Sequence, residues 1–143
     1  MRINLETAKL AKEKGYDESC SSVFVDEKPK ELGGIRRTNS SYQNQITRPA
    51  QSDLQKWLRE VHDIHVNVNV RFHEKKTNGV IMYAYEISTL ENYYDGIGDN
   101  LNHWLQGLGE YEPLYHTHEK YEEALEHGLQ EGLKELIEDE SRS

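Results

Sequence analysis

Among 143 residues there is one cysteine, and there are only three prolines, two phenylalanines and two methionines. The lone thiol, Cys20, cannot form an internal disulfide, so the chain suits a reducing compartment. Long apolar runs are missing too. No stretch approaches the ~18 residues needed to span a bilayer, and the first residues lack the apolar core of a signal peptide. A cytoplasmic protein with no membrane partner is expected. Basic residues are in deficit: 17 Lys and Arg against 26 Asp and Glu leave a net charge of −9. That charge opposes generic attraction to nucleic-acid phosphates and anionic membranes. Hydrophobic residues make up 35% of the chain, enough for one thin core, and the length is that of a single domain spanning 1–143.

What is present is mostly helical periodicity. Asn4 is positioned to cap a helix over Leu5–Lys14, with Glu6 near its start and Gly15 as its stop. Ser22-Val-Phe-Val25 has the β-branched and aromatic character of a short strand. From Asp26 to Ile46 the chain turns polar and loses periodicity, around Pro29, Gly33-Gly34, Arg36-Arg37 and Asn39-Ser-Ser41, which predicts a long loop. Leu54, Trp57, Leu58 and Val61 then recur at i, i+3, i+4 and i+7 and predict an amphipathic helix, capped at Thr47 or Ser52 and ended at Asp63.

Strict alternation follows from Ile64 to His73. Ile64, Val66, Val68, Val70 and Phe72 share one face, and His65, Asn67, Asn69, Arg71 and His73 share the other. Asn78-Gly79 is a strong hairpin signal, and Val80–Ser88 follows as a second strand, apolar on both sides and therefore more central. Leu101, Trp104, Leu105 and Leu108 predict a short helix between Asp99 and Gly109. Thr117 opens a long helix whose stripe is Tyr121, Ala124, Leu125, Gly128, Leu129, Gly132, Leu133, Leu136 and Ile137, with Glu119, Glu122, Glu123, Glu126, Glu131 and Glu135 opposite. Two glycines in a buried stripe imply that another backbone passes close, since each costs about 1 kcal/mol in a helix interior.

These elements predict an α+β fold: an antiparallel sheet around a central β-hairpin with helices packed on one face. Its αββα core carries an N-terminal helix and short strand. The domain divides into 1–25, the polar loop 26–46, and a core over 47–143 with an insert at 90–116.

Three stretches, Glu6–Cys20, Thr47–Val68 and Tyr121–Ile137, resemble a group of small uncharacterised proteins of bacteriophages and prophages of gut Bacteroidetes and related bacteria. The middle one, Thr47-Arg-Pro-Ala-Gln-Ser-Asp-Leu-Gln-Lys-Trp-Leu-Arg-Glu-Val-His-Asp-Ile-His-Val-Asn-Val68, is the most specific. The resemblance implies a phage or prophage origin and a bacterial host cytoplasm. It carries no known activity and no catalytic residue.

Catalytic constellations are not found. Cys20 lies in acidic Asp17-Glu-Ser-Cys-Ser21, which raises a thiol pKa rather than activating it, so a buried structural role is expected. Gly96-Ile-Gly98 lacks the strand context of a phosphate loop, and Asp95-Gly-Ile-Gly-Asp-Asn100 lacks the alternating ligands of a calcium loop. Seven histidines invite a metal reading through His62 with His65 or His116 with His118, but neither pair has a ligand-site pattern, and no metal or cofactor is assigned. The order helix, hairpin, helix is also similar to that of double-stranded-RNA-binding domains, with Arg71, Lys75 and Lys76 as the contacts. The last helix argues against it, with three basic residues against nine acidic over 117–143.

Non-enzymatic, stoichiometric binding of a host or phage protein is the function expected, with a double-stranded-RNA-binding-like module or a His-based metal-binding protein as the alternatives and a homo-oligomer as a further partner option. Its candidate surfaces are the irregular aromatic insert, with Tyr93, Tyr94, Trp104, Tyr111 and Tyr115, and the polar strand face of His65, Asn67 and Asn69. Tyr83, Tyr85 and Tyr121 are assigned to the core.

Overall fold

The computed structural model describes residues 1–41, 44–71, 81–89 and 117–142, except the side chains of Arg71, Thr117 and 137–142. The fold is α+β. Helices α1 (Leu5–Glu13), α2 (Gln51–His62) and α3 (Tyr121–Arg142) accompany strands β1 (Ser22–Val25), β2 (Lys28–Glu31), β3 (Gln45–Thr47), β4 (Ile64–Arg71), β5 (Met82–Thr89) and β6 (Thr117–His118). The chain forms two compact units, one of Met1–Trp57 with Leu129–Ser143 and one of Leu58–Gly128.

The first unit starts with a helix closed at both ends by its own sequence. Asn4 Oδ1 accepts from Thr7 N at 2.9 Å and so satisfies one of the orphan N–H groups of the first turn. At the other end Gly15 adopts φ +92°, Gly15 N donates to Lys12 O, and Tyr16 N donates to Ala11 O. These two bonds form a Schellman motif, which places Tyr16 against the helix it terminates. The Tyr16 ring meets Trp57 edge-on at 5.2 Å, and both are buried.

Where a long polar loop was expected over 26–46, two strands form instead. With β1 they make an antiparallel sheet of order β2-β1-β3, in which Val25 pairs with Lys28 and Val23 with Thr47. Asp26 and Glu27 turn the first hairpin with φ of 50° and 66°, the positive pair that a two-residue type I′ turn requires. β2 reads Lys-Pro-Lys-Glu and is exposed throughout, so it has no apolar alternation to reveal it. Pro29 is accommodated because β2 lies at a sheet edge, where lysines and prolines also discourage pairing with other chains.

Polar side chains tie this sheet down. Buried Asn39 accepts from Thr47 N at 2.8 Å and donates to Tyr16 O at 2.6 Å. Asp17 accepts from both the N–H and the hydroxyl of Ser40, each at 2.7 Å, and these bonds lower its carboxyl pKa. Glu31 receives Arg48 at 3.1 Å and Arg2 at 3.7 Å. Lys12 Nζ donates to Gln45 O, and Gln130 on α3 donates to Thr7 on α1.

Neither Thr47 nor Ser52 caps α2. The helix begins at Gln51, whose N–H donates to Met1 O, because residues 1–3 run antiparallel to 49–51. Leu54, Trp57 and Leu58 are buried as expected, but Val61 is 58% exposed, so the apolar stripe ends one turn early. Asp63, at φ +54°, ends the helix.

The second unit holds an antiparallel sheet of order β4-β5-β6, with β5 central as its two-sided apolar character predicts. Ile64, Val66 and Ala84 are buried. Thr117 and His118 are a strand, not the opening of the helix, which starts at Tyr121. The register sets Arg71 opposite Met82, whereas an uninterrupted two-residue turn at Asn78-Gly79 would set it opposite Glu86. That turn itself, like the expected helix at 99–109, lies outside the described residues.

The α3 stripe is buried at Ala124, Leu125, Gly128, Leu129, Gly132, Leu133 and Leu136. Gly128 explains how closely its first half sits on the sheet. A Cβ there would lie 2.7 Å from Val66 Cγ1 and 2.9 Å from Tyr85 Cβ, closer than real Cβ atoms come. The neighbour that crowds this glycine is therefore a pair of strand side chains and not the backbone that the glycine stripe implies. Tyr121, assigned to the core by periodicity, is 44% exposed, because it begins the helix before this contact is reached.

Candidate functional site

Directly opposed residues of an antiparallel sheet share a face, so the register sorts the second unit's residues into two surfaces. On the face that meets α3, Val70, Tyr83 and His118 form one row across all three strands, and Val68 with Tyr85 forms the next. On the far face, His65 pairs with Ser88, Asn67 with Glu86 and Asn69 with Ala84.

The far face holds the polar candidates. Asn67 is exposed, while His65 and Asn69 are partly covered. His65 Nε2 contacts Asp63 Oδ1 at 2.9 Å, an arrangement made possible by the left-handed turn at Asp63. The expected interface residues Tyr93, Tyr94, Trp104, Tyr111 and Tyr115 lie outside the described residues, as do Lys75, Lys76, His116 and the side chain of Arg71.

The face that meets α3 holds two features that periodicity did not disclose. One is apolar. Val70 is 59% exposed and Ile81, just ahead of β5, is 53% exposed, while the Tyr83 and Tyr121 rings meet edge-on at 6.1 Å. Burial on this face thus fades along β4, from fully buried Ile64 and Val66 through Val68 to Val70. Acidic Glu119, Glu122 and Glu123 surround Tyr121 in sequence, two of them exposed and Glu122 partly covered.

The other feature is a pair of imidazoles. His118 Nε2 lies 3.3 Å from His127 Nδ1, with the rings at 85° and their centroids 5.4 Å apart. The Tyr85 ring lies against His127 at 4.8 Å. His118 comes from β6 and His127 from α3, and both are half-buried. Their separation of nine residues fits neither a strand nor a helix repeat, so spacing gives no signal for the pair. The enabling residue is Gly128, the neighbour of His127, which lets this turn of helix descend onto Tyr85 and Val66.

In the first unit Cys20 is buried, and burial is the main reason its thiol pKa is raised. Hydroxyls of Thr47 and Tyr16 and the charge of Arg36 oppose the rise, and Asp53 adds to it. The direction matches the expectation from the acidic local sequence, but desolvation is the leading cause. Thr47 Oγ1 sits by this thiol with no hydrogen bond of good geometry. Burial likewise raises the Tyr16 phenol, with Cys20 and Asp53 adding to the effect.

Among the described residues no three His, Cys, Asp or Glu side chains gather to hold a metal ion, and no helix is long and apolar enough to cross a membrane. No protein family, curated protein or solved structure matches this chain.

Proposed function

We propose that this chain is a non-enzymatic accessory protein of phage or prophage origin, acting in the cytoplasm of a bacterial host by stoichiometric binding of another protein. The observation that carries the binding reading is the exposed apolar cluster of Val70, Ile81 and Tyr121 beside Tyr83. Exposed aliphatic and tyrosine side chains gathered on one surface are what a protein interface desolvates at its centre. Origin and compartment rest on the resemblance of Thr47–Val68 and its two companion stretches to phage and prophage proteins.

Charge defines the partner further. Residues 58–128 carry five Lys and Arg against 13 Asp and Glu, and Glu119, Glu122 and Glu123 flank Tyr121. A complementary surface offers an apolar centre rimmed by Lys and Arg. The same acidity opposes nucleic-acid phosphates.

The test is co-purification from host cells followed by sedimentation of the eluted species. The account expects a complex of fixed stoichiometry that is lost on Val70→Glu and Tyr121→Glu, with both variants still unfolding cooperatively as folded proteins. Wild-type chain that sediments alone, or a complex indifferent to both substitutions, overturns it.

A further inference from the structure

We infer that His118 and His127 form a two-imidazole seat for a single divalent first-row transition ion, with zinc as the simplest occupant. Two nitrogens bound to one tetrahedral zinc at about 2.0–2.1 Å each stand about 3.3–3.4 Å apart. His118 Nε2 and His127 Nδ1 are hydrogen-bonded to each other at 3.3 Å, so an ion would take the place of the proton they share with little change in their separation. The rings are near perpendicular, so each presents a nitrogen without stacking face to face on the other. Imidazole is a favoured ligand for zinc, nickel and copper, and both rings are partly open to solvent, which gives an ion a way in.

The seat is held by the fold rather than assembled on demand. His118 is fixed by the pairing of β6 with Tyr83 of β5. His127 is fixed by the seating of Gly128 on Val66 and Tyr85, and the Tyr85 ring lies along its side. Two ligands held on different elements lose little freedom when an ion joins them. Among the described residues no third His, Cys, Asp or Glu joins the pair, so these residues offer two protein ligands and an ion would draw its others from elsewhere. His118 stands in the same cross-strand row as Val70 and Tyr83, beside the apolar cluster. This site does not depend on the protein-binding reading, because it rests on the two nitrogens alone.

The experiment is titration of the full-length chain with zinc chloride by calorimetry, alongside nitrogen-detected NMR of the histidine rings in the wild-type protein. One zinc per chain is expected at this seat. The expected ring signals to move are those of His118 Nε2 and His127 Nδ1, which requires no substitution and so no assumption about the folding of variants. His118→Ala and His127→Ala are each expected to weaken this binding on the order of tenfold or more, as loss of one of two ligands should. His65→Ala is expected to leave it unchanged. No zinc binding, or binding that moves other ring signals and survives both substitutions, overturns the assignment.

Discussion

The two units stabilise their sheets by different means. The first has short strands, one of them wholly exposed, and relies on side chains that reach backbone atoms: Asn39 to Thr47 and Tyr16, Lys12 to Gln45, and Asp17 to Ser40. The second pairs β4 and β5 over eight residues and presses a helix onto them at a glycine. Charge differs as well, with 12 Lys and Arg against 13 Asp and Glu in the first unit and five against 13 in the second. Polar tethers fix a sheet too small to bury much, whereas a long hairpin under a helix can leave part of its apolar face uncovered. Under the proposed function, that part is what a partner would desolvate.

The comparison can be broken most severely at Asn39. Replacing it by Ala strands two buried backbone groups at once, each costing about 1–3 kcal/mol. Asn39→Ala is expected to lose about 3 kcal/mol in chemical denaturation; a loss under about 1 kcal/mol would show the tether to be dispensable.

Gly128→Ala tests the second unit. Alanine gains about 1 kcal/mol of helix propensity, but overpacking costs typically 1–3 kcal/mol, and Tyr85 Cβ cannot swing aside because it is fixed to the backbone. A net loss of about 1–2 kcal/mol is expected, together with altered His118 and His127 ring signals. A stabilised variant would mean that the helix is not seated this closely.

Asn4→Ala removes the cap of α1 and should cost about 1 kcal/mol by the same denaturation assay. An unchanged midpoint would place the capping energy elsewhere.

Titration gives the finest distinction, and its sign differs between groups. Tyr16 and Cys20 hold their protons more tightly folded than unfolded. Their contribution is fully present below the ordinary thiol and phenol range, about 8.5 and 10, and is lost as pH rises above it. Asp17 has the opposite sense, since its lowered pKa gives stability present above the ordinary carboxylate value, about 3.9, and lost as pH falls through the lowered one. Cys20→Ala should flatten the alkaline decline in thermal unfolding temperature, and Ser40→Ala the acid one. Unaltered profiles would remove these groups from the account.

What could be read from the sequence was whatever repeats locally. The Asn4 cap and Gly15 stop, the buried α3 stripe and the central place of β5 all follow from periodicity or from a residue acting on its near neighbours. β2 escaped because an exposed edge strand needs no apolar alternation, and β3 because three residues are too few to show any. Val61 and Tyr121 fall on core stripes by spacing yet are exposed, because a helical wheel gives direction but not how far the covering layer extends. The His118–His127 pair was illegible for a further reason: it depends on register between β5 and β6 and on the depth to which Gly128 lets a helix sink. Those quantities belong to packing rather than to spacing.

The most direct test of the central claim, that the uncovered apolar end of the second sheet receives a partner protein, is a photo-crosslinking residue placed at position 121 in cells of the host. The account predicts one dominant protein adduct of fixed mass, suppressed by Val70→Glu. Free chain alone, or a smear of adducts unaffected by that substitution, would contradict it.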